Sequence, residues 1–320
     1  MHNIAIALAK KGYAVSGSDD AIYDPSYSRL KDRNILPQSF GWDASRITKD
    51  LDIVILGMHA RKNNPELAEA QKLGIPIVSF PEFVASESEN KKRIVVAGSH
   101  GKTTTTAMLM HVLSKLAIEF DYVVGSSVDG FDVSVRFSDA PIILIEGDEY
   151  LSSPLDLTSK FHWYNPHISI ITGIAYDHIN VFPTFEGYVN TFADFVENHE
   201  SESVCFWFNR DEHLQKIMKD TKKRNVAYTT PNYEFSNNTS VVKKEENNYP
   251  LEVVGKHNLE NLEAAYLVCK ELGVSEENFF NAAADFSGNR QKHIVRAADD
   301  RAKGRRDRVA EVNATAAPPT

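Results

Sequence analysis

Seven consecutive residues, Gly98-Ser99-His100-Gly101-Lys102-Thr103-Thr104, combine two glycines, a lysine and two threonine hydroxyls. Glycines let backbone N–H groups close around phosphate oxygens, a lysine at the turn reaches the outer phosphates, and a threonine hydroxyl can hold Mg²⁺. Val96 stands where the longer phosphate-loop pattern has its first glycine, so only the short Gly-x-x-Gly-Lys-Thr form is met. A helix-capping turn with a surface lysine would look the same in isolation. Context separates the two: a phosphate loop needs a strand before it and a helix after it.

Three further groups could complete such a site. The apolar run 141–145 ends in Glu146-Gly147-Asp148-Glu149, and Mg²⁺ takes one or two carboxylates together with phosphate oxygens. Glu146, nearest the run, is the first choice as a ligand, against a solvated acidic turn. The run 167–172 leads into Asp177-His178-Ile179-Asn180, where His178 is either a metal ligand or a hydrogen-bonded structural histidine. Asn258 and Asn261 are three apart, a helical spacing that puts both amides on one face, where they could read an adenine edge; helix capping alone would also explain Asn258.

The elements that must position these groups can be read from hydrophobic periodicity. Residues 93–97 are a strand, and 102–116 a helix with Leu109, Val112, Leu113 and Leu116 on one face. Strands at 141–145, 167–172 and 203–208 and a helix at 185–198 follow, then a hairpin within 239–254 and helices at 257–272 and 275–286. Upstream, strands at 13–18, 51–57 and 75–80 alternate with helices at 1–11 and 65–73. The polar stretch 86–92 reads as a linker. The fold class is α/β, with a mostly parallel sheet covered by helices. If the strand ending at Ile145 is central, its acids emerge at the carboxyl edge, where the phosphate loop also lies.

Composition narrows the function. At 320 residues the chain has room for about two domains, and its 42% hydrophobic and 25% charged content is that of a folded protein. With 35 Lys and Arg against 44 Asp and Glu, the net charge of −9 disfavours nucleic acid as a partner. Cys205 and Cys269 sit in apolar stretches, which suggests buried thiols in a reducing compartment. No apolar run approaches a membrane span and no secretory leader is visible, so no membrane insertion and a cytoplasmic location are expected.

Together these stretches resemble the Mur ligase family, the ATP-dependent amide-forming enzymes of peptidoglycan precursor metabolism. The matching segments are Ala-Gly-Ser-His-Gly-Lys-Thr-Thr-Thr-Thr (97–106), Glu-Gly-Asp-Glu-Tyr (146–150), Asp-His-Ile-Asn (177–180) and Gly-Lys-His-Asn-Leu-Glu-Asn (255–261), in the family's order. Residues 12–20, 79–83 and 171–185 look most like the murein peptide ligase branch, which joins UDP-N-acetylmuramate to L-alanyl-γ-D-glutamyl-meso-diaminopimelate in peptidoglycan recycling. The sibling branch adds L-alanine to the same nucleotide sugar. Residues 185–197 contain no lysine, in agreement with the muramate-accepting branches, which lack the carbamylated lysine of other Mur ligases.

The resemblance implies a small Rossmann-like, UDP-sugar-binding domain at 1–88, lacking its first strand and Gly-rich turn. It also implies a central P-loop ATPase domain at 89–292. Residues 293–320 read as a disordered tail, too short for the family's third domain, so the chain is expected to be truncated at both ends. By the same resemblance ATP and Mg²⁺ are required. The loop Gly98, Ser99, His100, Gly101, Lys102, Thr103 and Thr104 binds the phosphates, with Lys102 at the outer ones. Thr103 and Glu146 hold one Mg²⁺, His178 ligates a second, and Asn258 and Asn261 contact adenine. Asp19, His59 and Asn64 are candidates for the UDP-sugar. A noncatalytic ATP-binding fragment and an unrelated P-loop NTPase are the competing possibilities. As a loop residue, Lys102 is expected to face solvent, so that its removal leaves the fold intact.

Overall fold

The computed structural model describes residues 1–176, 181–236 and 239–288. The tail at 293–320 and the basic residues at 290 and 292 lie outside them. The chain opens with α1 (His2–Lys11) and α2 (Ser26–Lys31), then β1 (Val54–Leu56), α3 (Pro65–Leu73), β2 (Ile77–Ser79) and α4 (Phe80–Glu87). The central unit follows with β3 (Lys92–Ala97), α5 (Lys102–Lys115), β4 (Asp121–Val123), β5 (Val135–Arg136), β6 (Ile142–Glu146) and β7 (Ile168–Ile171). It continues through α6 (Phe185–Glu197), β8 (Val204–Phe208), α7 (Glu212–Asp220) and β9 (Asn225–Tyr228). Strands β10 (Tyr233–Ser236), β11 (Thr239–Lys243) and β12 (Asn248–Leu251) precede α8 (Lys256–Glu271) and α9 (Glu276–Ala283).

The main sheet has seven strands in the order β5-β4-β6-β3-β7-β8-β9, all parallel except β5, which runs antiparallel to β4. Strand β3 is central because it is apolar on both faces: Ile94, Val95, Val96 and Ala97 are all fully buried. On one face Ile94 and Val96 pack with α5, α8 and α9, through Leu109, Val112, Leu113, Leu262 and Phe280. On the other, Val95 and Ala97 pack with α6 and the short 3₁₀ helix Lys160–Tyr164, where the Phe161 and Phe195 rings stack 4.5 Å apart. Truncating either ring to alanine costs roughly 3–5 kcal/mol. The second core also takes in Ile4, Leu8, Phe83 and Val84 from α1 and α4, so the two units share one apolar interior.

Four local expectations change. Residues 13–18 join no ladder; β1 and β2 pair only with each other, and the segment is largely exposed with no strand beside it. The stretch 86–92 is not a free linker. Helix α4 runs to Glu87, opened by a capping box in which Ser79 Oγ accepts from Glu82 N–H at 3.3 Å while Glu82 accepts from Ser79 N–H at 3.1 Å. The turn after it is held by Arg93, which donates to the carbonyls of Ser88 and Glu89. The hairpin gains a third strand, β10, antiparallel to β11. Helix α8 begins at Lys256, one residue earlier than expected, and its N-cap is Gly255 and not Asn258. Among the described residues, no helix is long and apolar enough to cross a membrane.

Candidate functional site

Strands β6, β3 and β7 are adjacent and parallel, so the segments leaving their carboxyl ends meet. The register pairs Val96 with Glu146 and Ala97 with Ile171, and Gly147 N–H donates to Val96 O at 2.8 Å. The loop 98–101 then turns back over β7. Ser99 N–H donates to Gly173 O at 2.9 Å, and the Thr172 hydroxyl donates to His100 O. Gly98 and Gly101 adopt φ of 119° and 86°, which side chains rarely tolerate. A β-carbon on Gly98 would also stand 2.8 Å from the Thr172 backbone nitrogen, and one on Gly101 would stand 2.5 Å from Asn261 Oδ1. The loop opens α5 with no side chain on its N-terminal N–H groups, an arrangement suited to an anion.

The acids of β6 divide their work. Glu146 Oε1 accepts from the Thr103 hydroxyl at 2.8 Å and Oε2 from Gly125 N–H at 2.9 Å. Two hard oxygen donors side by side at a phosphate-type loop fit Mg²⁺. Among the described residues, no group of three His, Cys, Asp or Glu side chains could hold a metal ion. Asp148 instead pairs with Lys160 at 2.8 Å. Glu149, fully buried, accepts from Lys102 Nζ at 3.0 Å.

Lys102 therefore does not face solvent. Its side chain is 14% exposed, and its ammonium also donates to Gly98 O at 2.5 Å. Sequence reasoning placed it outward because its acidic partner comes from another strand. Helix α8 brings Asn261 against Gly101, whereas the Asn258 amide donates to Val254 O at 2.8 Å, so the two amides do not share one environment. His100 is exposed and Thr104 half-buried on α5. His178 lies outside the described residues.

The three nucleotide-sugar candidates sit in the N-terminal unit. Asn64 caps α3, accepting from Glu66 and Leu67 N–H at 2.8 and 3.2 Å, and His59 is exposed after β1. Asp19 is buried, and burial pushes its carboxyl up to about 6 against backbone hydrogen bonds that favour the anion. Three residues escaped sequence reasoning. Tyr188, on α6, donates to Glu149 at 3.0 Å. Gly125 holds Glu146. Asp211 accepts from Ile174 N–H at 2.6 Å as well as capping α7, and only its place before a helix could have marked it.

A parallel sheet covered on both faces, with a glycine-turn loop between its central strand and the next helix, defines an α/β protein with a phosphate-loop architecture. The chain belongs to the Mur ligase family, whose members are ATP-dependent amide ligases: residues 96–269 match the Mur ligase middle domain and residues 1–92 the model described as Mur ligase family, catalytic domain. It is 31% identical over 324 residues to the UDP-N-acetylmuramate–L-alanine ligase of Syntrophomonas wolfei, covering 94% of this chain and 68% of that protein. The chain spans 64–70% of the length of the curated relatives it matches. Among solved structures, the UDP-N-acetylmuramate:L-alanyl-γ-D-glutamyl-meso-diaminopimelate ligase from Neisseria meningitides is similar in fold, with a TM-score of 0.80 at 24% identity over 89% of this chain and 94% of that one. The UDP-N-acetylmuramate-alanine ligase from Thermotoga maritima has a TM-score of 0.67 at 24% identity, over 89% and 66%.

Proposed function

We propose that the chain uses ATP to activate the carboxylate of UDP-N-acetylmuramate and passes the acyl group to the amine of L-alanyl-γ-D-glutamyl-meso-diaminopimelate. A carboxylate oxygen attacks the γ-phosphorus and ADP departs, leaving an acyl phosphate. The amine then attacks the acyl carbon, phosphate leaves and the nitrogen gives up its extra proton. No protein nucleophile is needed, and catalysis consists of positioning and charge neutralisation. The observation that carries the reading is the convergence of Lys102, Thr103 and Glu146 at the carboxyl edge of β3 and β6.

In this reading the N–H groups of 98–104 cradle the phosphates, and Lys102 neutralises the outer two. Thr103 and Glu146 would hold Mg²⁺, which supplies positive charge between the phosphates when bound. His178 is assigned to a second ion beside the muramate carboxylate. Asn261, against the loop, and Asn258 are assigned to adenine. Asp19, His59 and Asn64 are assigned to the UDP-sugar, with the two units divided near residue 88.

The L-alanine reading has its own support in the Syntrophomonas wolfei relative, and ATP binding without catalysis is the third outcome. ADP release from ATP, Mg²⁺ and UDP-N-acetylmuramate separates the three. Release that depends on the tripeptide supports the proposal, release that depends on L-alanine supports the sibling activity, and nucleotide binding without release marks the third outcome.

A further inference from the structure

Glu149 follows the same strand as Glu146, yet its carboxylate is buried and turned toward the loop lysine. Oε2 accepts from Lys102 Nζ and Oε1 from the Tyr188 hydroxyl, each at 3.0 Å. The Tyr188 oxygen lies 2.8 Å from Ser99 Oγ, and Ser99 Oγ accepts from Ala175 N–H at 2.8 Å. With the tyrosine proton given to the carboxylate, Ser99 must donate to Tyr188. A directed chain of hydrogen bonds thus runs from the segment after β7, through the phosphate loop and α6, to the carboxylate that holds the loop's own lysine.

The charges along this chain oppose one another. Lys102 is the positive group of the loop, and in this arrangement its ammonium is shared between Gly98 O and Glu149. A buried negative charge beside a polyphosphate site repels the ligand and competes with it for the ammonium. The Tyr188 hydroxyl takes up part of that charge and loosens the competition.

We propose that Glu149 and Tyr188 are a positioning pair that holds Lys102 back against Gly98, so that its ammonium is shared with an arriving polyphosphate rather than surrendered to it. Glu149 lowers nucleotide affinity in exchange for a fixed lysine, and Tyr188 sets how strongly. The inference rests on the nucleotide-site reading above.

The test is equilibrium binding of ADP to the whole chain by titration calorimetry, for wild type, Glu149→Gln, Tyr188→Phe and the double variant, with thermal unfolding as the control for folding. Glu149→Gln keeps the shape and removes the charge, and should bind ADP roughly fivefold more tightly. Tyr188→Phe leaves the carboxylate more fully committed to Lys102, and should bind roughly threefold more weakly. The double variant should stay tighter than wild type, with the loss caused by Tyr188→Phe reduced to what its contact with Ser99 carries. A merely structural role predicts weaker binding in both single variants with additive losses, and that result, or unchanged affinity in Glu149→Gln, overturns the proposal. If Glu149→Gln does not fold, Tyr188→Phe is compared with Ser99→Ala, which removes the tyrosine's contact with the loop and leaves its bond to Glu149: a larger loss in Tyr188→Phe than in Ser99→Ala supports the pair, and equal losses refute it. Wild-type protein that fails to bind ADP removes the nucleotide-site reading itself, and the positioning pair with it.

Discussion

The Thr103 hydroxyl donates to Glu146 across 2.8 Å, joining the first turn of α5 to the end of β6, 43 residues further along the chain. The two oxygens are neighbours because β3 and β6 pair in parallel with Val96 opposite Glu146. A dication can use both at once, and a nucleotide's phosphate oxygens and water would fill its remaining positions.

Glu146→Gln should therefore weaken MgATP binding by roughly tenfold while changing Mg²⁺-free ADP binding much less. Calorimetric titrations with and without Mg²⁺ measure both. Equal losses in the two titrations would mean that Glu146 supports the loop and not a metal.

Lys102→Ala should abolish ATP-dependent turnover, but it should not leave the fold untouched. It strands the buried Glu149 carboxylate, at a cost of about 3 kcal/mol. Denaturant unfolding checks this: stability should return when Glu149→Gln is added, while turnover stays absent. A Lys102→Ala chain as stable as wild type would show that the pair carries no net energy.

Gly98→Ala places a methyl group against the Thr172 backbone in a conformation that alanine tolerates poorly. Nucleotide binding should be lost and unfolding eased by roughly 2 kcal/mol. Wild-type affinity in this variant would show that the loop can re-form with a different path.

Burial of His199 disfavours its charged form. Its Nδ1 lies 2.7 Å from Phe195 O and its Nε2 2.7 Å from Ser169 Oγ, and burial holds the imidazole below its ordinary value of 6.5. His167, lowered chiefly by burial, acts in the same direction. Below pH 6.5 the unfolded chain takes up protons that the folded chain refuses, so this contribution to stability is full above that pH and declines below it. As pH falls below 6.5 this contribution should be lost from wild type and not from His199→Gln, so the melting temperature of wild type should fall relative to that of the variant, Asp19 acting in the opposite direction equally in both. Identical slopes would place the titration elsewhere.

The parts of this site that were legible in the sequence are those built from neighbouring residues. The apolar run of β3, the two glycines and Lys102 lie together, so strand, turn and helix start could be read as one unit. The helix 65–73 was legible in the same way, whereas the capping role of Asn64, read only as a nucleotide-sugar candidate, emerged from the structure. Pairings across the sheet were not legible. Tyr188 and Glu149 are 39 residues apart, and nothing near either marks the other; only the order β6-β3-β7 and the packing of α6 bring them together. Residues 13–18 fail for the converse reason: a strand requires a partner, and that is a property of the sheet and not of the segment.

Solving the chain with a non-hydrolysable ATP analogue and Mg²⁺ tests the central claim most directly. The account predicts β- and γ-phosphates against the N–H groups of residues 98–104, with Mg²⁺ either bound directly to Thr103 Oγ1 or Glu146 at about 2.1 Å or joined to them through one of its own waters. A nucleotide bound elsewhere, or one bound at the loop with its metal away from both residues, would contradict it.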